Sequence, residues 1–114
     1  MMNKFTYTIY QGAWSPTPYK PSKLPQDAMA EVWSGQIEAL KIEHALEEIF
    51  TTFQRVGDIH MPPSGYQGRS LSVGDVIALE TSSMRRPIMY AVEPVGFKML
   101  MPHEHPHIVE DLFA

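Results

Sequence analysis

The sequence predicts an α+β fold, a small and mostly antiparallel sheet of about five strands with one main helix packed on it. Short stretches of β-branched and aromatic residues recur along the chain, separated by Gly and Pro turn signals. One segment alone, residues 42–53, carries a clear helical period of apolar residues. The 114 residues suffice for one modest core, so we expect residues 1–114 to form a single domain.

Composition argues against several classes of protein and of site. Hydrophobic residues make up 44% of the chain and charged residues 19%, a balance typical of globular proteins. There is no Cys, so we expect no disulfide, thiolate metal site or cysteine nucleophile. No apolar run approaches the ~18 residues that span a membrane, and no signal peptide is recognisable, so a cytoplasmic location is expected. The net charge of −4 argues against binding to a nucleic-acid backbone.

Two strands are predicted in the first third of the chain. Residues 5–10 alternate along their length and are all β-branched or aromatic. Residues 30–39 allow a helix or a strand, but Gly35 would cost a helix about 1 kcal/mol. Apolar and polar residues also alternate there, so we favour a strand in which Gly35 indicates a bulge or a close backbone approach.

A proline-rich loop, residues 13–25, separates these two strands. Its four prolines exclude both a helix and a central strand. Two interpretations stay open: a surface loop pinned by Trp14 and Tyr19, or a docking segment in the polyproline II conformation.

The strand at residues 5–10 raises the question of self-association. It contains neither a charge nor a proline, the features that protect an exposed sheet edge. Either it lies inside the sheet, or the proline-rich loop covers its edge, or it pairs with a second copy across a two-fold axis. A homodimer is therefore one of three alternatives.

The helix is predicted at residues 42–53. Its apolar residues recur with the spacing of one helical face, and its glutamates occupy the other face. Glu47 and Glu48 are adjacent, so their carboxylates point about 100° apart and do not form an acid–base pair.

The longest continuous pattern runs through residues 68–79. Leu71 and Val73 alternate with serines, which predicts a strand, and the Gly74-Asp75 turn then precedes a short apolar strand. Further strands are predicted at residues 88–92 and 97–101, joined by turns.

These patterns place one set of apolar and aromatic residues in the core. The predicted core residues are Phe5, Tyr7, Ile9, Trp33, Ile37, Leu46, Ile49, Phe50, Phe53, Leu71, Val73, Val76, Ile77, Leu79, Tyr90, Val92 and Phe97. Residues 102–114 follow as a tail rich in His and Pro.

The tail carries a candidate metal site. His103, His105 and His107 alternate along the sequence, so an extended chain would place three imidazoles on one side. Together with Glu104 or another acid, they could bind Zn²⁺ or Ni²⁺. Two prolines disturb this alternation, and a solvated tract is the alternative.

A candidate ligand-binding cluster lies at the Gly-Asp turn. In one interpretation Arg69 and Asp75 face a ligand; in the other, Asp75 caps the turn while Ser70 and Ser72 satisfy backbone groups of the loop. No catalytic residue is predicted, because these serines lack a Gly-x-Ser-x-Gly elbow and the sequence places no His near them.

Three motifs in order resemble the YodL-like domain family. LEEIFTTFQ ends with Phe53-Gln54, GYQGRSLSVGDVIAL contains residues 68–76, and YAVEPVGFK contains Gly96-Phe97. The resemblance covers residues 46–98, and the proline-rich loop and the His-rich tail lie outside it. The family is found in proteins of bacterial mobile elements, so the resemblance implies a context and not a mechanism.

Residues and resemblance together indicate a non-enzymatic accessory or protein-binding module of a mobile genetic element. A small acidic domain with aromatics, prolines and eight Met suits an adaptable interface with a protein partner. One alternative is a metal-binding protein or metal-dependent enzyme that uses the His-rich tail with Zn²⁺ or Ni²⁺. Another is an inhibitor of a defence enzyme. Neither a nucleic acid nor a membrane is expected as a partner.

Overall fold

A mixed sheet with one helix on one of its faces forms the described part of the chain. The computed structural model describes residues 2–12, 28–54, 62–66, 68, 70–105 and 107–108. The elements are β1 (Asn3–Gly12), β2 (Ala28–Ala39), α1 (Ile42–Thr52), β3 (Val76–Glu80), β4 (Ile88–Val92), β5 (Phe97–Met99) and β6 (His107–Ile108). The first five strands are antiparallel to their neighbours, which confirms the predicted α+β fold, and β6 adds a two-residue parallel pairing to β2.

The strand order is β5-β4-β3-β1-β2-β6, with β1 in the interior of the sheet. β1 pairs with β2 along one edge and with β3 along the other. Of the three alternatives for this strand, the interior position is the one observed. Residues 6–10 of β1 have both hydrogen-bonding edges occupied and offer none to a second copy, and a homodimer stays a prediction.

β2 confirms the strand predicted at residues 30–39. Its bulge and its glycine, Gly35, lie at different positions. The bulge lies at Val32, since Trp33 pairs with Ile9 while Glu31 pairs with Tyr10. Gly35 instead lies opposite Tyr7, where a Cβ atom would come within 2.8 Å of the Tyr7 hydroxyl oxygen. The glycine therefore marks a close approach, by the Tyr7 ring, and not the bulge.

The helix predicted at residues 42–53 is α1, and its apolar face covers one side of the sheet. Ala45, Leu46 and Ile49 are buried in the core with the inward residues of β1 and β3. Glu43 lies in the first turn, where the partial positive charge of the helix end favours a carboxylate. At the other end, the Phe53 N–H donates to the Ile49 carbonyl at 3.1 Å and closes the last turn.

The predicted strand containing Leu71 and Val73 is wrong. These residues form a loop and a turn, in which Gly74 adopts a φ of +95° and β3 begins only at Val76. Leu71 is buried, whereas Val73 is 59% exposed and does not belong to the core. Five other predicted core residues pack against the core but are only partly buried: Trp33, Ile37, Phe50, Tyr90 and Phe97.

The C-terminal half forms the two predicted hairpins. β3 and β4 are joined through residues 81–87, and β4 and β5 through residues 93–96. β5 ends at Met99, two residues before the predicted end at residue 101. The proline-rich loop at residues 13–25 lies outside the described residues. The described helices are all too short to cross a bilayer.

Leu46→Ala tests the assignment of the helix face to the core. Because Leu46 is buried under the sheet, we expect the free energy of unfolding to fall by about 2–5 kcal/mol in urea denaturation. The matched control is Leu40→Ala, since Leu40 is exposed and its truncation should change stability by no more than about 0.5 kcal/mol. A loss below about 0.5 kcal/mol for Leu46→Ala would contradict the assignment.

Candidate functional site

Asp75 lies at the turn before β3 and is buried, with only 1% of its surface exposed. Its Oδ2 atom accepts hydrogen bonds from the Ser72 N–H at 3.0 Å and from the Gln11 side-chain amide at 3.3 Å. These contacts fit the turn-capping interpretation. Arg69 lies outside the described residues, so a ligand site formed by Arg69 and Asp75 stays a prediction.

The Asp75 turn is fixed to strand β4 by its backbone. The Val92 N–H donates to the Asp75 carbonyl at 2.8 Å, and the Gly74 N–H donates to the Val92 carbonyl at 2.9 Å. The Asp75 N–H closes the turn on the Ser72 carbonyl at 3.0 Å. The turn is therefore part of the sheet framework, although its residues precede β3.

The end of helix α1 is tied to the segment that precedes this turn. The Gln54 side-chain amide donates to the Leu71 carbonyl at 2.8 Å, and the Leu71 N–H donates to the Phe53 carbonyl at 3.3 Å. The two bonds join residues that are 17 and 18 positions apart. They explain why a Phe-Gln pair and a buried Leu occur together in the motifs.

An aromatic cluster surrounds Phe53. Its ring centroid lies 4.9 Å from that of Tyr66, 6.0 Å from that of Tyr7 and 6.3 Å from that of Trp33. The contacts with the two tyrosines are edge-on, as the charge distribution of aromatic rings favours. Burial raises the pKa of the Tyr7 phenol, and its hydrogen bond with the Trp33 side chain acts in the opposite direction.

Gly68 lies where no side chain fits. A Cβ atom there would come within 2.5 Å of the Tyr66 hydroxyl oxygen and 2.7 Å of Gln11 Oε1. Gln11 in turn contacts Asp75, so these residues form one buried polar cluster between the end of β1 and the turn before β3. Packing alone therefore explains why the last residue of GYQG, Gly68, is a glycine.

The His-rich tail is folded differently from the extended chain that the metal prediction assumed. Pro102–Glu104 forms a single 3₁₀ turn, so the expected alternation of imidazoles along one side is wrong for this stretch. Glu104 stabilises the turn, accepting from the Met101 N–H at 3.1 Å and from the Lys98 ammonium at 3.0 Å. The first of these bonds, and then the second, lowers the pKa of the Glu104 carboxyl.

The structure describes the side chains of only two of the three histidines. His103 is exposed, His105 is half-buried, and His107 pairs through its backbone with β2, while its side chain lies outside the described part. Among the side chains that the structure describes, no three His, Asp or Glu residues converge. Binding of Zn²⁺ or Ni²⁺ by His103, His105 and His107 therefore stays a prediction.

A groove runs between α1 and the β4–β5 hairpin, and we call it the α1–hairpin groove. It consists of two adjacent cavities of about 330 and 290 Å³ that share Glu47, Gly96 and Phe97. Phe50 of the helix meets Phe97 of the hairpin edge-on, with ring centroids 6.2 Å apart. The remaining lining residues are Ile42, Glu43, Leu46, Thr51, Tyr90, Val92, Glu93, Pro94 and Met99.

The α1–hairpin groove has an apolar floor and an acidic rim. Glu43, Glu47 and Glu93 are exposed along it, and its described lining contains neither Lys nor Arg. Burial, and then the charge of Glu43, raises the pKa of the Tyr90 phenol in the groove. The groove therefore favours apolar groups that carry positive charge beside them.

Sequence analysis missed this groove and the role of Gln11. The helical pattern assigned the glutamates of α1 to a solvated face, which they occupy, but gave no sign that a hairpin borders them. The only signal in the sequence was the pair Phe50 and Phe97. The patterns place both in the core, whereas the structure leaves them partly buried. Gln11 lies at the end of a strand pattern, and its partner Asp75 is 64 residues away.

Asp75→Ala tests the structural role of the buried carboxylate. Removing the acceptor leaves the Ser72 N–H and the Gln11 amide without it, so we expect a loss of about 1–3 kcal/mol in the free energy of unfolding. Glu93→Ala is the matched control, because this carboxylate is exposed and should contribute less than about 0.5 kcal/mol. Equal stability of the two variants in thermal or urea denaturation would argue against the turn-capping role.

Comparison with known proteins agrees with the three motifs. The family model of the YodL-like domain matches residues 20–102, which contain every described element from β2 to β5. This range is wider than the predicted resemblance at residues 46–98, and it begins inside the proline-rich loop. No curated protein and no solved structure matches the chain. Since the match spans well over half of the sequence, the chain belongs to the YodL-like domain family.

Proposed function

We propose that the protein is a non-enzymatic binding module that holds a segment of a partner protein in the α1–hairpin groove. The observation that carries the proposal is the combination of an apolar floor with an acidic rim in that groove. An accessory role in a mobile genetic element, which the family resemblance implies, belongs to the same proposal.

Apolar surface continues from the groove onto the hairpin. Val95, at the tip of the β4–β5 turn, is 92% exposed, and Met99 of β5 is 51% exposed. Exposed apolar residues next to a groove are typical of surfaces that bind other proteins. Met also adapts its shape to different partners, which suits a docking surface.

The shape of the groove favours a chain segment over a compact small molecule. The two cavities lie side by side and meet at Phe97, so each can take one side chain of a bound segment. Short peptides that bind proteins commonly place successive apolar anchors in such neighbouring pockets. We infer an occupant with two apolar anchors.

The charge of the rim sets the second requirement on the partner. Glu43, Glu47 and Glu93 would face Lys or Arg residues that flank the apolar anchors. Because these carboxylates are exposed, they act mainly on the association rate and on specificity, and their effect weakens with salt.

The chemistry of the lining supports binding over catalysis. The described residues around the groove include no His, Lys or Ser, so Ser–His pairs and lysine nucleophiles have no members there. The three glutamates are exposed on an open rim, and the described lining of the groove contains no buried carboxylate.

Selection of a random displayed-peptide library on the purified protein tests the proposal. We expect enriched peptides with aromatic or aliphatic residues flanked by Lys or Arg. Glu47→Lys should weaken their binding about tenfold or more, which corresponds to about 1.4 kcal/mol, because it places a positive charge at the centre of the groove.

Glu48→Lys is the matched control. Glu48 lies on the same helix, is exposed, and lines neither cavity, so the same charge change should leave binding within about twofold. Enrichment of peptides without basic residues, or equal binding by the wild type and Glu47→Lys, would contradict the proposal.

A further inference from the structure

Within the described part of the chain, strand β2 has an open edge along most of its length. β6 pairs only with Ala28 and Met29 of β2, and among the described strands none lies beyond the rest of this edge. The bulge at Val32 lies within this open stretch, and residues 33–39 after it form the regular part. An unpaired strand edge of this length offers a template for another chain.

The direction of the backbone groups on β2 follows from one side-chain contact. The Ser34 hydroxyl donates to the Tyr7 carbonyl at 3.2 Å, which places that carbonyl on the β2 side of β1. Tyr7 is opposite Gly35, so the N–H and C=O of Gly35 face β1. Since neighbouring residues alternate, those of Ser34, Gln36 and Glu38 face the open edge.

The regular part of the open edge has few of the features that prevent pairing, and Glu38 is its one charge. Residues 33–39 contain no Pro, Lys or Arg. The side chains of Ser34, Gln36 and Glu38 are exposed, while Trp33 and Ile37 are half-buried on the helix side. At this edge β2 therefore has the face pattern of the antiparallel strands inside the sheet: apolar residues lie on one face and polar residues on the other.

We propose that this edge pairs with the same edge of a second copy, antiparallel and across a two-fold axis at Gln36. Only this register pairs all seven residues of the regular stretch. It provides backbone hydrogen bonds at three opposed positions: Ser34 with Glu38 of the second copy, Gln36 with Gln36, and Glu38 with Ser34. The two sheets then join into one continuous sheet.

Side-chain chemistry favours a second copy as the occupant. A Gln side chain carries both donors and an acceptor, so it can pair with an identical Gln across the axis. No like charges are opposed within residues 33–39, and each Glu38 faces a hydroxyl. Glu31 and Lys41 lie at equal sequence distances on either side of Gln36. Because the bulge at Val32 shifts the register by one, Glu31 of one copy lies within one residue of the position opposite Lys41 of the other, where the two charges attract. The edge is thus complementary to itself.

The first test is the mass in solution of the wild type and two variants. Sedimentation equilibrium at tens of micromolar should give twice the chain mass of 13.0 kDa for the wild type and for Gln36→Ala, which keeps its backbone N–H. Gln36→Pro should give the monomer mass, because proline removes a donor at the open edge and none towards β1. A monomeric wild type, or a dimeric and folded Gln36→Pro, overturns the proposal.

The second test stays informative if Gln36→Pro does not fold. The chain has no Cys, so Gln36→Cys introduces a single thiol at the axis. Opposed residues at such a position have Cα atoms about 5.5 Å apart, within the range of about 4.4–6.8 Å for disulfides. Mild oxidation should therefore convert most of this variant into a covalent dimer.

Glu38→Cys is the control for chance collisions. In the proposed register its two Cα atoms are separated by about 13 Å along the strand, too far for a disulfide. We expect at least tenfold slower cross-linking than for Gln36→Cys. Equal rates for the two variants, or no disulfide with Gln36→Cys, would overturn the register and with it the proposal.

Discussion

Packing around the Phe53 ring is the constraint on which the rest of this structure depends. The ring is buried at the end of α1 and contacts Tyr7 of β1, Trp33 of β2 and Tyr66 of the segment that follows the helix. The absence of a side chain at Gly35 leaves room for the Tyr7 ring, and Tyr7 then meets Phe53 edge-on. One side chain thus joins the end of the helix to two strands and to the next segment of chain. Among the described rings, no other one contacts three aromatic neighbours.

The candidate site is a consequence of this arrangement. Once Phe53 fixes the end of α1, the adjoining backbone and the Gln54 amide hold Leu71, and the turn at Asp75 continues onto β4. The β4–β5 hairpin then lies beside the helix, where Phe97 meets Phe50 and the α1–hairpin groove forms between them. The acidic rim comes from Glu43 and Glu47 of the helix and Glu93 of the β4–β5 turn, which are exposed and take no part in the core. The charges of the rim can therefore change without loss of the fold, whereas the floor, with Leu46 and Val92, belongs to the core.

Most of the fold was predictable because its elements have local patterns. α1 follows the helical period, and β1, β2 and β4 follow strand alternation or composition. Leu71 and Val73 show the limit, since they alternate like a strand. The backbone partner of Leu71 lies at the helix end and that of the following Gly74 lies on β4, which no local pattern indicates. The groove was missed for the same reason, because Phe50 and Phe97 meet only through tertiary packing. The turn at Pro102–Glu104 is stabilised by contacts of the Glu104 carboxylate with the Met101 N–H and the Lys98 ammonium, which the sequence pattern does not indicate.

A double-mutant cycle between Phe53 and Tyr66 tests the central claim most directly. The free energy of unfolding would be measured for the wild type, Phe53→Leu, Tyr66→Leu and the double variant in urea. If the Phe53 ring ties the post-helix segment to the fold, the coupling energy should be about 0.5–1.5 kcal/mol, as for other edge-on aromatic pairs. Additive effects within about 0.3 kcal/mol would show that the two rings act independently, which contradicts the account.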